Sequence, residues 1–386
     1  MSHMANAGSV LFGMTIDYQL RYHQGLWQRL NAARWNVHLA CSPGTNLAAE
    51  TAPGVHLHEV SMSREPDPLN DLVALMRWRK LFREVKPDVV VLGTPKASLL
   101  GLAAASMTGV PNRIYEVHGL RLEGSRGWKR KLLAWMERLT CRLATTVVPV
   151  GESLSNQLVR LQLCDPKKIR VLGFGSPNGV DLEHFKAARE NRVAQACLRK
   201  SLRIASDRPV ITFIGRLNND KGLNCLARAV ARLDPSLNVQ LLIVGGTEES
   251  SEADLETLRA ATNSVTFAGE VTDVAPYLAI TDVLCLPSRR EGLPTVVLEA
   301  FATSVPVVAT RATGIVDLVE HRLTGGLADI DDDVALADEL RIVLSEANVA
   351  ERYASNALAM VTARYRRSEV QDRWVEFLRL MQHPRR

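Results

Sequence analysis

The feature that most constrains this 386-residue chain is a repeated alternation of short apolar runs with segments of helical periodicity. Such an alternation is typical of βαβ units, in which parallel sheets are covered by helices on both faces. The pattern pauses in a polar, basic stretch around 186–208 and then begins again. Because a chain of this length is long for a single core, the restart predicts two doubly wound α/β domains in tandem.

The predicted strands are the runs richest in β-branched and apolar residues. Those of the first half are 10–16, 37–42, 55–60, 88–94, 113–118, 145–150 and 169–175. Those of the second half are 210–216, 239–246, 265–270, 282–287 and 306–311. The end of the chain contains only helical patterns, at 332–345, 349–362 and about 367–381. In open sheets of this kind ligands bind beyond the carboxyl ends of the strands, so residues there are the candidates for function.

Composition excludes several classes of protein. The chain is 46% apolar and 23% charged, as in an ordinary globular protein, and we expect neither a membrane-spanning helix nor a signal peptide. Its six cysteines occur singly, which favours a reducing cytoplasm over a disulfide framework and argues against a zinc site. The opening MSHM resembles an expression-tag remnant, with Met4 as a candidate native start.

The charge is distributed unevenly along the chain. Residues 1–190 contain 24 basic and 16 acidic side chains, a balance of +8, whereas the remainder carries −3. A basic half is compatible with an anionic partner such as a membrane surface, a lipid phosphate or a nucleic acid. It is equally compatible with a solvated face, which composition alone favours.

Two basic helices are predicted in this half, at 77–86 and 127–143. The second places Trp128, Leu132 and Trp135 on one apolar face, with Met136 and Leu139, among several cations. Such a helix is compatible with an anionic bilayer surface. It is also compatible with a core helix that has a solvated back, and we prefer this second interpretation.

The segment SRREGLPTVVLEAFA, residues 288–302, carries the carboxylates Glu291 and Glu299 around an apolar run. Eight helical steps would separate them by about 12 Å along the axis, so they cannot easily share a proton or a metal ion. Pro294 suits the first turn of a helix and Gly292 permits close backbone approach, which places only Glu299 inside the helix. If they act together, each holds a different part of one elongated ligand. The alternative for Glu299 is an ion pair with an arginine.

The motif GRLNNDKGL, residues 215–223, follows a predicted strand and leads into a helix. Arg216 and Lys221 then stand where free backbone N–H groups favour an anion, and both side chains suit phosphate. Taken alone, the motif is more often explained by two solvated cations. His118 ends the predicted strand 113–118, a position compatible with either a structural or a catalytic histidine.

In this order, the motifs resemble those of the retaining glycosyltransferases of GT-B fold known as family 4. GRLNNDKG followed by REGLPTVVLEAFATSVPVVAT is similar to that family's Arg/Lys pair and E-x7-E element. SPG at 42–44, TPKASLLGLAAASMTGVP at 94–111, VHGLR at 117–121 and GSPNGVDLEHF at 175–185 resemble the branch that builds bacterial surface polysaccharides.

The resemblance implies two Rossmann-like doubly wound domains facing across a cleft, with C-terminal helices packing back on the N-terminal domain. An N-terminal acceptor-binding domain would occupy 5–185, and a linker region would follow at 186–208. A nucleotide-sugar-binding domain would occupy 209–365, and a helix at 366–386 would cross back to the N-terminal domain.

Carried over residue by residue, the resemblance implies a donor site. Arg216 and Lys221 would bind the donor diphosphate, and Glu299 would bind the ribose hydroxyls. Glu291 and the backbone that follows it would hold the hydroxyls of the donor sugar. His118 would reach across the cleft to the sugar near the reacting carbon. The implied catalytic residues are therefore His118, Glu291, Arg216 and Lys221.

The remaining donor-site positions are also implied by the resemblance. Gly13 would lie near the diphosphate, although Met14 replaces the second glycine that the family usually has there. Glu270 and Val271 would lie near the base. The full implied donor-binding set is Gly13, Arg216, Lys221, Glu270, Val271, Glu291, Gly292, Leu293, Pro294, Thr295 and Glu299.

The resemblance implies a retaining hexosyltransferase that needs no metal and no cofactor. A hexose or N-acetylhexosamine would pass from a nucleotide-diphosphate sugar, most readily a UDP-sugar, to a hydroxyl of a glycan, a lipid-linked sugar or a small natural product. The expected location is the cytoplasm, with peripheral contact between the basic N-terminal domain and the inner face of an anionic membrane. No nucleic-acid partner is expected.

Other activities stay open at this point. A nucleotide-sugar epimerase shares the fold, and a non-catalytic nucleotide-sugar-binding partner subunit would retain some of the same residues. A nicotinamide dehydrogenase is the weakest alternative, because GFGSPNG at 173–179 has the spacing GxGxxxG and misses the dinucleotide fingerprint.

Overall fold

The computed structural model describes residues 8–44, 47, 52–63, 67–247, 252–262 and 264–382. The chain divides into two compact units. The first unit runs to Asn178 and takes up the chain again from Ser368, and the second comprises Gly179–Arg367. Met4 and the outermost residues of the predicted ranges 5–185 and 366–386 lie outside the described residues.

The first unit contains a sheet of six parallel strands. They are β1 (Gly8–Gly13), β2 (Trp35–Cys41), β3 (Val55–Glu59), β4 (Val89–Gly93), β5 (Asn112–Val117) and β6 (Thr146–Pro149). Their spatial order is β3-β2-β1-β4-β5-β6, so the order reverses between β1 and β4. This is the strand order of a doubly wound Rossmann sheet.

The second unit repeats the same arrangement. Its strands are β7 (Val210–Ile214), β8 (Gln240–Val244), β9 (Val265–Gly269), β10 (Val283–Leu286), β11 (Val307–Thr310) and β12 (Gly325–Ala328), all parallel. Their spatial order is β12-β11-β10-β7-β8-β9, with the reversal between β7 and β10. The prediction of two doubly wound α/β domains is confirmed.

The helices alternate with the strands as the sequence pattern predicts. They are α1 (Leu26–Ala32), α2 (Pro68–Val85), α3 (Pro95–Met107), α4 (Gly127–Leu143), α5 (Glu152–Arg160), α6 (Leu182–Glu190), α7 (Arg192–Ser201), α8 (Leu223–Ala231), α9 (Glu252–Ala261), α10 (Ala275–Leu278), α11 (Thr295–Ala302), α12 (Asp333–Ser345), α13 (Ala347–Arg364) and α14 (Arg367–Gln382). No helix of the described residues is both long enough and apolar enough to cross a membrane.

Helix α14 packs into the core of the first unit, although it comes last in the chain. Trp374 and Leu378 are buried in the same apolar cluster as β1, β2 and β4. Arg29 Nε and Asp372 Oδ1 lie 2.6 Å apart, and Trp374 Nε1 donates a hydrogen bond to the Pro177 carbonyl at 3.2 Å. The predicted return of the C-terminal helix to the N-terminal domain is therefore confirmed.

Three local predictions differ from the structure. The segment 169–175 is not a strand, because Gly173 and Gly175 have positive φ values of 60° and 91° and leave one isolated bridge at Ile169. Strand β12 was missed, because its sequence GGLA has no β-branched residue. The predicted linker 186–208 contains the end of α6 and all of α7 and belongs to the second unit. Its polar composition is that of surface helices.

Helix α4 is not a core helix with a solvated back, so the preferred interpretation of this segment is wrong. Trp128, Leu132 and Trp135 are 76%, 45% and 58% exposed, whereas Thr140 and Cys141 near its end are buried. The apolar face was correctly placed on one side of the helix. Met136 and Leu139, the other residues of that face, are half-buried, so the face is exposed in the first turns of α4 and partly covered towards its buried end.

Candidate active site

The loops that follow β7 and β10 meet at the carboxyl edge of the second sheet. After β7 the chain passes through Arg216 and a 3-10 turn, Asn219–Lys221, into α8. After β10 it passes through Glu291 into α11, whose N-cap is Pro294. Because β7 and β10 are neighbours where the strand order reverses, both loops lie at the topological switch point, where doubly wound sheets bind ligands.

Two glycines allow these loops to touch through their backbones. Gly222 has φ 68°, and a Cβ there would lie 2.0 Å from the carbonyl oxygen of Pro287. Gly314, after β11, has φ 78°, and a Cβ there would lie 2.0 Å from the carbonyl oxygen of Gly292. A larger residue at either position would separate the loops and adopt an unfavourable backbone conformation.

Lys221 and Glu291 form an ion pair where these loops meet. Lys221 Nζ lies 2.5 Å from Glu291 Oε1, and Ser288 Oγ donates to the same oxygen at 2.7 Å. Thr310 Oγ1 donates to the Ser288 carbonyl and so fixes the loop after β10. The two charged side chains are only 18% and 12% exposed. An ammonium group has three donors, so one carboxylate contact leaves it able to bind an anion as well.

Further charges tie the same loops together. Arg290 pairs with Asp220, and the Arg289 backbone N–H donates to the Asp220 carbonyl at 2.8 Å. Arg289 Nε lies 2.9 Å from Asp331 Oδ1. Arg216 is exposed directly after Gly215 at this edge of the sheet. The structure thus gathers Arg216, Lys221 and Glu291 on adjoining loops, as a site for an anionic ligand requires.

Glu299 lies in the fifth position of α11 and is half-buried. Burial raises the pKa of its carboxyl group to about 7, and the positive charge of Arg367 opposes this shift. Asp273 raises the pKa further, and His184, which lies 3.0 Å from Asp273, lowers it. The arginine suggested as an alternative partner is thus present as a nearby charge, and Glu299 keeps a carboxyl group that can change protonation near neutral pH.

The other predicted donor positions of the second unit lie at the start of α11 and directly after β9. Leu293 is buried and Thr295 is exposed at the start of α11. Glu270 is exposed after β9, and Val271 is half-buried beside it. A Cβ on Gly246, which follows β8, would lie 3.2 Å from Glu270 Oε2, so the loops after β8 and β9 adjoin.

In the first unit, His118 follows β5 and lies beside two buried polar residues that sequence reasoning missed. Glu116 Oε2 is 2.7 Å from His23 Nε2 and 3.3 Å from His118 Nε2. His23 and Glu116 are fully buried, whereas the His118 side chain is 16% exposed. The signal for Glu116 was a carboxylate inside the apolar run RIYEV, but its partner His23 is 93 residues away in sequence.

Glu116 is an ionised carboxylate inside the first unit. Burial alone would raise its pKa, but His23 and then His118 outweigh burial and lower that pKa to about 2. In the described part of the chain, His23, Glu116 and His118 are the one group of three metal-ligand side chains whose ligand atoms lie within 4.8 Å of one another. Two imidazoles and a carboxylate are a donor set that suits a divalent transition metal.

Gly13 ends β1 and is buried. A Cβ there would lie 2.4 Å from Leu92 Cδ2 and 2.6 Å from Trp78 Cη2, so close packing alone requires a glycine at this position. The adjoining turn is closed by side chains, since Thr15 and Thr94 hydroxyls hydrogen bond at 2.8 Å. The contact of Gly13 with a donor diphosphate stays a prediction.

Two family models match this chain in consecutive parts. Residues 20–175 match the model described as "Glycosyl transferase 4-like domain". Residues 208–346 match the model described as "Glycosyl transferases group 1". The first match falls in the first compact unit and the second match in the second unit.

Two proteins of similar sequence are also named as transferases of sugars. The chain is 31% identical over 355 residues to the capsular polysaccharide biosynthesis glycosyltransferase CapM of Staphylococcus aureus, covering 91% of this chain and 92% of CapM. It is 27% identical to the UDP-Gal:alpha-D-GlcNAc-diphosphoundecaprenol alpha-1,3-galactosyltransferase of Escherichia coli, covering 78% and 77% of the two chains.

A solved structure with the same fold is that of Anabaena HepE in complex with UDP and glucose. It superposes with a TM-score of 0.80 at 19% identity and covers 96% of this chain and 99% of HepE. The two doubly wound sheets are those of the GT-B fold. The chain belongs to the family 4 glycosyltransferases.

Proposed function

We propose that this glycosyltransferase is a retaining enzyme that moves a hexose or N-acetylhexosamine from a UDP-sugar to a hydroxyl of a glycan or a lipid-linked sugar. The observation that carries the proposal is the Lys221–Glu291 ion pair, 2.5 Å long, on loops that also expose Arg216 at a switch point. The E. coli relative is named for a UDP-galactose donor and a diphosphoundecaprenol-linked acceptor, and HepE is described with UDP and glucose.

In this mechanism Arg216 and Lys221 bind the diphosphate of the donor and stabilise the charge that develops as it leaves. Glu291 holds hydroxyls of the donor sugar and fixes the position of Lys221. The bond between the anomeric carbon and the phosphate oxygen breaks while the acceptor oxygen bonds to the same face of that carbon. The acceptor proton passes to the leaving phosphate oxygen, so the chain needs no base of its own. The protein acts by positioning and electrostatics.

Two further side chains complete the proposal. Glu299 accepts hydrogen bonds from the ribose hydroxyls, and His118 contacts the donor sugar near the reacting carbon.

Because two cationic side chains supply the positive charge at the diphosphate, transfer proceeds without a metal ion. Activity that is lost in EDTA and restored by Mg²⁺ or Mn²⁺ would contradict this part of the proposal.

The first experiment is a screen of nucleotide sugars by thermal unfolding, followed by transfer assays. A ligand that binds only the native state stabilises it by about 2.7 kcal/mol at a concentration of 100 times Kd. We expect UDP-glucose, UDP-galactose or UDP-N-acetylglucosamine to raise the unfolding temperature, and GDP-mannose and NAD to have no effect. Stabilisation by GDP-mannose alone would correct the base, and stabilisation by none of these donors would refute the donor site.

The same assays separate the alternative activities. A nucleotide-sugar epimerase would interconvert the donor without any acceptor, which donor-only incubations followed by chromatography would reveal. A non-catalytic subunit would bind a donor tightly and transfer nothing to a panel of acceptors. We expect transfer that depends on an acceptor hydroxyl.

We also propose that the protein works in the cytoplasm and that helix α4 contacts the inner face of an anionic membrane. Its exposed residues Trp128, Leu132 and Trp135 form one apolar stripe. Lys129 and Lys131, both exposed, lie on the same helix beside this stripe. An apolar face with neighbouring cations is the pattern of a helix that lies in a membrane interface. A lipid-linked acceptor would be reached from this position.

Vesicle sedimentation tests the membrane contact. We expect binding to vesicles that contain phosphatidylglycerol, weaker binding to neutral phosphatidylcholine vesicles, and loss of binding in the Trp128→Ala, Trp135→Ala double variant. Val193→Ala is the control, because Val193 is also 76% exposed but lies in the second unit. Equal binding by the double variant and the control would refute the assignment to α4.

A further inference from the structure

We propose that Glu116 and His23 are positioning residues that fix the ring orientation and the proton of His118, so that His118 presents one defined nitrogen to the donor sugar. The inference rests on the proposed contact of His118 with the sugar, and it assigns roles to two residues that no sequence motif singled out. It also excludes a resident metal ion at the same three side chains.

The geometry places one carboxylate oxygen between two imidazole rings. Glu116 Oε2 accepts a hydrogen bond from His23 Nε2 at 2.7 Å. The same oxygen lies 3.3 Å from His118 Nε2, a close charge contact that lacks the alignment of a hydrogen bond. Catalytic hydrogen bonds are commonly long before substrate binds and shorten in the complex. A small rotation of the His118 ring would align this contact.

The charge of Glu116 determines where the protons are. Its pKa of about 2 means that at neutral pH the carboxylate accepts hydrogen bonds and donates none. The contact with an imidazole nitrogen is therefore favourable only if that nitrogen carries a proton. Nε2 of His23 and Nε2 of His118 therefore both carry hydrogen. His23 is the imidazole that contacts this carboxylate from the fully buried side, and His118 is the imidazole that faces it from the accessible side.

The ring of His118 is also confined by its neighbours. The Tyr22 ring lies 4.6 Å from it, centroid to centroid, at an angle of 31°. A Cβ on Gly93, at the end of β4, would lie 2.9 Å from His118 Nε2. On the other side of the carboxylate, the ring centroids of Phe12 and Trp374 lie 5.4 Å from that of His23 and hold this imidazole in place.

These contacts favour positioning over metal binding. Glu116 Oε2 already accepts a hydrogen bond from His23 Nε2 at 2.7 Å. Neither residue has exposed side-chain surface through which an ion and its water could enter. Nε2 of His118 is buried as well, so the exposed part of its ring lies on the opposite side. The arrangement leaves the remaining ring nitrogen, Nδ1, as the atom that acts on a ligand.

The test compares Glu116→Gln with the wild-type protein by long-range ¹H–¹⁵N spectra of the imidazole rings and by steady-state transfer kinetics. We expect the wild-type His118 to carry its proton on Nε2 and the variant to lose this single tautomer. We expect kcat to fall about 10²-fold, as for a misplaced catalytic group, with donor Kd changed less than about threefold. Glu137→Gln is the matched control, since Glu137 is a half-buried glutamate of α4 whose carboxylate hydrogen bonds to Tyr115, the neighbour of Glu116 in β5.

A second variant keeps the test valid if Glu116→Gln folds poorly. Gly93→Ala leaves the Glu116–His23 pair unchanged and displaces the His118 ring, so kcat should fall while the spectrum of His23 stays the same. An unchanged His118 tautomer in Glu116→Gln, or unchanged kcat with a changed tautomer, would overturn the proposal. Stoichiometric zinc in the purified protein that Glu116→Gln loses would also overturn it. Absence of transfer by the wild type would instead refute the proposed function, because the spectra need no substrate.

Discussion

The protonation of Glu299 gives the sharpest prediction for donor binding. Burial raises its pKa to about 7, and the nearby Arg367 only partly opposes this effect. A carboxylate can accept hydrogen bonds from both ribose hydroxyls, whereas the protonated form loses one acceptor position and the charge. We therefore expect the ionised form to bind the donor and the affinity to be lost as the pH falls through about 7.

The magnitude follows from the fraction of protein in the binding-competent form. With a pKa of about 7, roughly one molecule in eleven is ionised at pH 6 and ten in eleven at pH 8. Because the apparent Kd is the intrinsic Kd divided by the competent fraction, it should rise about tenfold from pH 8 to pH 6. This ratio corresponds to about 1.4 kcal/mol of binding free energy.

Isothermal titration calorimetry with UDP-glucose at pH 6, 7 and 8 tests this dependence. A nucleotide sugar is preferable to UDP, because the terminal phosphate of UDP itself gains a proton near pH 6. Glu299→Gln should bind more weakly at pH 8, by roughly 1.5–3 kcal/mol for lost hydrogen bonds to a charged group, and should show little pH dependence. A wild-type Kd that is constant with pH, or the same dependence in Glu299→Gln, would refute the role of Glu299.

The same carboxyl group affects folding in the opposite direction. Because its pKa is raised above the ordinary value of 4.5, the folded state binds the proton more tightly than the unfolded state. The contribution of Glu299 to the free energy of unfolding is therefore largest below pH 4.5 and is lost as the pH rises towards 7. Glu299→Gln should consequently be more stable than the wild type at pH 8, which denaturant unfolding at the two pH values would measure.

Four further substitutions test the site and the fold. Lys221→Ala and Glu291→Ala should each abolish transfer in a radiolabelled-donor assay, since each removes one half of the 2.5 Å ion pair, and full activity in either would overturn the site assignment. Gly222→Val should lower donor affinity, since its Cβ would meet the Pro287 carbonyl; an unchanged Kd would contradict the close packing of these loops. Trp374→Ala should lower the free energy of unfolding by roughly 3–5 kcal/mol, and a change below about 1 kcal/mol would contradict its place in the core.

The sequence predicts the architecture because strand and helix periodicities are local properties. Fully buried parallel strands such as VITFI at 210–214 have continuous apolar runs, and α14 has a helical pattern up to its end. Strand β12 has no such signal, since its GGLA sequence is a strand only because it pairs with β11. Periodicity also could not predict the exposure of Trp128 and Trp135. It shows that one face of a helix is apolar, but it does not show what covers that face.

The candidate site likewise contains residues that local motifs predict and contacts that only the structure shows. Arg216, Lys221, Glu291 and Glu299 lie in segments whose motifs are short and local, and the structure places the first three on adjoining loops at one edge of one sheet. The pairing of Lys221 with Glu291 joins loops 70 residues apart and follows from strand order. The contact between His23 and Glu116 joins residues that no motif connects. Such contacts depend on the folded sheet and therefore need a structure.

The most direct test of the proposed reaction is the configuration of the sugar after transfer. Donors such as UDP-glucose carry an α-linked sugar, and the anomeric proton signal in NMR distinguishes α from β products. The mechanism, in which the acceptor bonds to the face from which the phosphate leaves, predicts an α-linked product in every early spectrum, with EDTA present. A β-linked product would show inversion and would contradict it.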